Sequence, residues 1–476
     1  PLSPNWWLSK SNRRTPVAVR LLTDPAWGEP HFEIASGDAI DFDPYQGTIS
    51  RGVGRSPWTG DPIDGDYIKA EAQAGRMGQM LYAIANKKPG KPDFRVPVQD
   101  DLDAIRAAEA ELARKKPLWE AQDIIPSEAI PDGLKTSESL RYGMYVWSDM
   151  LSPRQLLAMG TFVETFHELR EDMDAAIGDE RAAAVQVYLA IALNKAPNYN
   201  SQLSVWHPYR TSVANTFNRH DFAFAWSHGE FDSSADLLPW TINQIVSAYR
   251  EMAKLLAPPK TTLEGGSIEH GPLTLLQGNA ADLSALTDHS VQAIITDPPY
   301  YDNVMYAELS DFFYVWLKRT VGHLYPEWFA AQLTDKDAEA VANPARFAGL
   351  GRKKKALAEQ DYERKMEAAF REMHRVLADD GVLTVMFTHK KQEAWEALFS
   401  ALIEAGFTIT ATWPVKTDSQ HSLHIANKNA AESSVLLVAR KRESGAGRAY
   451  FTESMREEIR ARARASAERL QQEGLN

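Results

Sequence analysis

The stretch Val291-Gln-Ala-Ile-Ile-Thr-Asp-Pro-Pro-Tyr300, continued by Tyr301, Asp302 and Asn303, decides how the rest of the chain is read. An apolar run of strand length stops at an acid, two prolines and two tyrosines. Proline has no N–H for a sheet ladder, so the strand must end at Asp297. In an open α/β sheet, ligands gather at the carboxyl ends of the strands. The run therefore predicts a carboxylate, a rigid carbonyl-bearing turn and an aromatic ring at one edge of a sheet.

These groups suit chemistry on a planar amino group. The exocyclic amine of a nucleobase shares its lone pair with the ring and is a poor nucleophile. If the Asp297 carboxylate and the Pro298 carbonyl both accept its N–H bonds, the nitrogen is drawn toward tetrahedral geometry. Its lone pair then points at an incoming methyl group. The consecutive prolines hold that carbonyl in place beforehand, and Tyr300 stacks on a base taken out of the duplex. The same four residues can also be a plain turn; their position after a strand pattern favours the chemical reading.

Asp297-Pro298-Pro299-Tyr300 resembles the catalytic motif of the S-adenosylmethionine-dependent amino-methyltransferases of DNA. The longer string from Asp297 to Arg319 resembles the adenine-specific DNA methylases with a zinc-ribbon insertion, the DUF1156 family. The resemblance runs from Pro4-Asn-Trp-Trp-Leu-Ser-Lys10 to Arg442. It implies an α/β fold: an incomplete class I methyltransferase (Rossmann-like) sheet with a β-rich, ribbon-like N-terminal module and a helical middle region. It implies methylation of N6 on a flipped adenine, with S-adenosyl-L-methionine as cofactor and DNA as partner. Other subunits of a modification or defence system are implied as further partners. Asp297, Pro298, Pro299 and Tyr300 are the catalytic positions carried over. The loop after a short strand at 272–276, with Gly278, Asn279 and Asp282, would lie against the adenine of the cofactor; read alone, it is a turn with a helix cap. The family's ribbon carries cysteine pairs, whereas Ser56-Pro-Trp-Thr-Gly60 here offers hydroxyls, which are poor zinc ligands. A ribbon without metal, held by Trp6, Trp7, Trp27 and Trp58, is expected. The close pair His421 and His424 reads as part of a loop.

With 476 residues, 44% of them hydrophobic, the chain can build two or three domains. The expected division is a β-rich module over 1–75, a helical insertion over 76–257, the catalytic core over 258–443 and a charged helix over 444–476. No apolar run approaches the ~20 residues of a membrane helix, and no signal peptide opens the chain. The absence of cysteine excludes disulfides and thiolate metal sites. A cytoplasmic protein is expected. A net charge of −12 sits awkwardly with nucleic acid, but local clustering matters more than the total. The clearest cluster is Arg352-Lys353-Lys354-Lys355, whose plainer reading is a solvated loop. The chain opens without Met and stops in a charged helical stretch, so a fragment of a longer protein is expected.

Ser152-Pro153 is an N-cap followed by a first-turn proline, and helices are expected from there, over about 178–195, 237–256 and 359–377. The last carries Tyr362, Met366, Phe370, Met373 and Leu377 on one face. Gly381 should begin a buried strand, Val382 to Phe387, followed by a helix closed by Gly406. Strands at 407–415 and 433–439 should pair antiparallel across the polar loop 416–432, a candidate for DNA contact. Lys87 to Asp93 reads as a linker. The Gly-rich turn that binds the methionine part of the cofactor in class I methyltransferases is absent, and the ribose-binding acid is unassigned. The sheet should therefore lack two inner strands, between the strand at 273 and that at 291, and the segment alone should be inactive. N4-cytosine methylation, RNA as substrate and a catalytically idle DNA-binding subunit are the competing readings.

Overall fold

The computed structural model describes residues 1–10, 14–88, 91–257, 273–415, 434–443 and 452–472. Two compact units share them: residues 1–277 with 299–362 form one, and 278–298, 363–415 and the stretch from 434 form the other.

The first unit opens with β1 (Trp7–Ser9), β2 (Val17–Leu22) and β3 (His31–Ser36), an antiparallel sheet in that order. Their alternating side chains bury Trp6, Leu8 and Val19 against Phe32, Tyr82 and Phe94. Trp6 alone of the four expected tryptophans is fully inside; Trp27 and Trp58 are exposed and Trp7 is half-buried. A second small sheet, β4 (Ile49–Ser50), β5 (Val53–Arg55) and β6 (Pro62–Ile63), precedes α1 (Gly65–Gln73). Where a linker was expected, β7 (Ile84–Lys88) and β8 (Lys91–Arg95) form a hairpin. A two-stranded ribbon is all edge, so Pro92 costs it no interior ladder bond.

The helical part contains α2 (Gln99–Ala121), α3 (Ser137–Arg141), α4 (Pro153–Ile177), α5 (Asp179–Tyr199), the short ribbon β9 (Trp206–His207) and β10 (Ser212–Val213), and α6 (Leu238–Leu256). Helix α4 begins as its sequence dictates. Ser152 Oγ accepts from the Gln155 N–H at 3.2 Å, and Gln155 Oε1 accepts from the Ser152 N–H at 2.8 Å, a reciprocal capping box. Gly160 lets α2 approach closely, since a Cβ there would stand 2.3 Å from the Trp119 ring. Around this contact lie Trp147, Met150, Met159, Val163 and Phe222. Helix α7 (Tyr306–Val321), which follows the diproline motif, sends Phe312, Val315 and Trp316 into the same core. Its aromatic stripe is packing rather than a stacking platform.

The second unit is built on β11 (Val291–Thr296), β12 (Leu377–Phe387), β13 (Phe407–Val415) and β14 (Ser434–Lys441), in the order β11-β12-β14-β13. β11 and β12 are parallel, and β14 runs antiparallel to both of its neighbours. Helix α8 (Lys354–Val376) starts in the first unit and leads directly into β12. α9 (Gln392–Glu404) and an exposed helix, α10 (Glu453–Gln472), complete the elements. β12 begins at Leu377, before the expected Gly381. Val291 faces Leu377 and Ala293 faces Val382, so two steps along β11 span five along β12. The excess bulges out with the exposed Asp379 and Asp380, while Leu377 stays buried.

The motif strand is not interior. Among the described residues nothing pairs with the other edge of β11, and Ile295 is 84% exposed. The expected strand before Gly278 does not form over 273–276, where Leu273, Leu275 and Leu276 are exposed. A strand with no neighbour has nowhere to place its N–H and C=O groups except water. No helix among the described residues is long and apolar enough to cross a membrane.

Candidate active site

Asp297 leaves the carboxyl end of β11 with its side chain exposed. Thr296 is level with Val385 in the parallel neighbour, so the acid emerges beside the last residues of β12. There the turn Thr388-His389 is tied down: His389 Nδ1 accepts from the Lys391 N–H at 3.0 Å, and its carbonyl accepts from Trp395 Nε1 at 2.9 Å. Pro298 is buried. Its carbonyl takes no hydrogen bond among the described residues.

The chain passes into the first unit at Pro299, and from here the turn is heavily braced. The Pro299 carbonyl accepts from the Tyr301 N–H at 3.0 Å and from Tyr362 Oη at 3.1 Å. Tyr301 sits at φ +55°, a left-handed conformation that costs a non-glycine residue roughly 1–2 kcal/mol. Its ring is buried edge-on against Tyr362, centroids 5.1 Å apart, and its carbonyl accepts from the Ala342 N–H at 3.0 Å. Burial drives the pKa of the Tyr362 hydroxyl well above the tyrosine range, although a hydrogen bond to the turn's backbone works the other way. Tyr362 is therefore a neutral donor. Tyr300 is half-buried.

The acids of α7 are committed to structure. Glu308 accepts from the N–H groups of Leu134 and Lys135, at 3.3 and 2.8 Å, and from Asn343 Nδ2 at 2.7 Å. Asp311 accepts from the Thr334 N–H at 2.9 Å and its hydroxyl at 2.7 Å, and pairs with Lys336 Nζ at 2.5 Å. Neither is available as a base. Glu339 holds the start of α7, accepting from the Ala307 N–H at 3.1 Å. Burial pushes its carboxyl pKa up, and these backbone bonds offset part of the rise.

Gly278, Asn279 and Asp282 lie in the second unit, all three exposed. Asn279 Oδ1 accepts from the Ala281 N–H at 2.9 Å and Asp282 Oδ1 from the Ser284 N–H at 3.2 Å, so both side chains cap their own turn. Glu372 and Arg375 clamp the loop that follows. Glu372 Oε2 accepts from the Leu283 N–H at 2.9 Å, and Arg375 donates to the carbonyls of Leu283 and Leu286 at 2.9 and 3.0 Å. Hydrogen bonds from Arg375 and the Leu283 N–H hold the Glu372 carboxyl at about 2.

An apolar cavity of about 300 Å³ lies in the N-terminal module at the Ser56-to-Gly60 turn, lined by Pro57, Trp58, Tyr67 and Met77 among others and by no motif residue. Among the described residues no cluster of His, Asp and Glu could hold a metal ion. His421, His424 and the loop 416–432 lie outside the described residues. The sequence reading placed Tyr301 beside the motif and Tyr362 on an apolar helix face without their bracing role, and it missed Glu372 and Arg375. One signal was present: a tyrosine in the otherwise apolar stripe of α8 needs a partner for its hydroxyl when buried.

No family model matches the chain, and no curated protein matches it. Among solved structures, a candidate DNA modification methylase from Thermus thermophilus is similar at 14% identity, with a TM-score of 0.19. The match covers 38% of this chain and 56% of that one, so this chain spans little more than half the length of that protein. So low an overlap lends no weight to any reading of fold or site.

Proposed function

We propose that this chain is the base-gripping segment of a DNA amino-methyltransferase that acts on N6 of a flipped adenine. The observation that carries the reading is the exposed Asp297 carboxylate at the carboxyl end of a parallel strand, followed by a diproline turn. Of the two proline carbonyls, that of Pro299 is occupied twice in bracing the turn, while that of Pro298 is left for a ligand. In this reading Asp297 accepts one N–H of the amine and Pro298 the other, and Tyr300 stacks on the base. Electrostatic preorganisation of this kind works because the groups need no reorganisation when the reaction occurs.

An incomplete Rossmann-like sheet is supported by the parallel pair β11 and β12 with antiparallel strands at the far side, a pattern common in doubly wound folds. The methyl donor that this chemistry needs is S-adenosyl-L-methionine. Among the described residues no Gly-rich turn follows a strand, and Asn279 and Asp282 each give one oxygen to their own turn. The missing turn favours a second reading, a DNA-binding subunit that transfers no methyl group.

The test is a methylation assay on genomic DNA of the chain completed by the two strands its sheet lacks, with mapping of the modified base. Asp297→Ala should abolish transfer, a loss of at least about a hundredfold, as for removal of a preorganised polar group, and should leave the folding transition in place. Retained transfer in that variant would remove Asp297 from the mechanism. Modified cytosine or RNA would redirect the reading, and salt-sensitive DNA binding without transfer by the completed chain would favour the idle subunit.

A further inference from the structure

Residues 348–356 are nine consecutive exposed positions: Ala348-Gly-Leu-Gly-Arg-Lys-Lys-Lys-Ala356. They carry four adjacent cations and no acid in a chain whose acids outnumber its bases, 64 to 52. Several arginines elsewhere in the first unit are matched: Arg319 pairs with Asp123 and Glu128, Arg154 with Glu230, and Arg95 with Asp101. Here only Lys355 has a partner, Glu359 at 3.6 Å. Arg352, Lys353 and Lys354 have no ion pair among the described residues.

The patch is displayed on a fixed base. Arg346, just before it, is stapled to Asp337 at 2.9 Å and to Asp361 at 2.7 Å. Gly351, at φ +63°, turns the chain into α8 with open space around it. From Lys354 the helix runs eight residues to Tyr362, whose hydroxyl braces the Pro299 carbonyl. At 1.5 Å per residue that is about 12 Å along the axis. One short stretch of helix thus joins the end of this cationic run to the turn at Pro299.

We infer that Arg352, Lys353 and Lys354 form a docking surface for the phosphate backbone of duplex DNA, which α8 places at a fixed distance from the motif turn. The inference rests on the nucleic-acid reading above and deepens it. Phosphates tolerate every base sequence, so these contacts position the duplex and leave sequence choice to other residues. Each neutralised phosphate contributes about 0.9 to the slope of log affinity against log salt.

The test measures equilibrium binding of a fluorescent 20-bp duplex by the 476-residue chain across a salt series. The triple variant Arg352→Gln, Lys353→Gln, Lys354→Gln should lower that slope by roughly 2 to 3. From about 50 to 200 mM salt, the parent should lose affinity by roughly 40-fold more than the variant does. A control with equal charge change on α2, Arg106→Gln, Arg114→Gln, Lys116→Gln, should leave the slope unchanged, and both variants should keep the parent's melting temperature. An unchanged slope in the first variant overturns the inference. So does equal loss in the control, binding of RNA in place of duplex DNA, or no binding at all. Methyl transfer is read separately on the chain with its sheet completed: loss of slope without any transfer would keep the surface and refute the enzyme.

Discussion

The hydroxyl of Tyr362 on α8 reaches the Pro299 carbonyl of the braced turn at 3.1 Å. Removing it tests whether the turn's geometry matters separately from its packing. Tyr362→Phe keeps the ring edge-on to Tyr301 and should cost roughly 1 kcal/mol of stability, the net worth of one hydrogen bond. In the chain with its sheet completed, kcat should fall while KM for DNA holds, because carbonyl placement changes and contact area does not. Equal kcat in the variant would make Tyr362 a core residue and nothing more. The motif itself was legible at this scale because acid, proline and aromatic residues have few other reasons to follow a strand. Its bracing was not legible. Tyr301's left-handed φ and the bond from Tyr362 depend on positions about 60 residues apart in sequence, and neither periodicity nor composition encodes such a pairing.

Among the elements, α4 began where its Ser-Pro signal predicted because capping is a local affair between residues three apart. Its start also carries a tertiary load that the signal does not announce. Ser152 Oγ donates to Glu230 Oε2 at 3.1 Å, and Arg154 donates to the same carboxylate at 2.9 and 3.0 Å. Burial alone would push the Glu230 carboxyl up, but hydrogen bonds from His228 and Arg154 outweigh it and hold it at about 2. A carboxyl held below its unfolded value of about 4.3 stabilises the fold at higher pH. That contribution is fully present above about pH 4.3 and is lost as the pH falls toward 2. Melting temperatures of the parent and Glu230→Gln should therefore lie furthest apart near neutral pH and converge between about pH 4 and 2. A gap that stays constant over that range would place the stabilisation somewhere other than this carboxylate. The strand expected at 272–276 shows the opposite case: an apolar run suggests a strand, but only a neighbour makes one.

At the scale of the whole molecule, apolar positions face water where a sheet should continue. Ile295 on β11 is 84% exposed, and Leu273, Leu275 and Leu276 are 76%, 85% and 65% exposed. An exposed apolar edge strand invites pairing and is normally blunted by charge or proline; β11 has neither within its six residues. The pattern of β11 is that of a strand meant to be flanked on both sides, as parallel strands usually are. Two parallel strands added at the open edge of β11 would pair its backbone and shield Ile295. They would also bring the Gly-rich turn that the described residues lack. Two observables follow for the isolated chain. Calorimetric titration of residues 1–476 with S-adenosyl-L-methionine should give no tight binding, and the amides of β11 should exchange with solvent faster than those of β12. Supplying the missing strands, in one chain or as a separate polypeptide, should create cofactor binding and protect β11 together, since both depend on the same new neighbour. Tight binding by the 476 residues alone would mean that the cradle is built from residues already present, and the incomplete-sheet reading would fall with it.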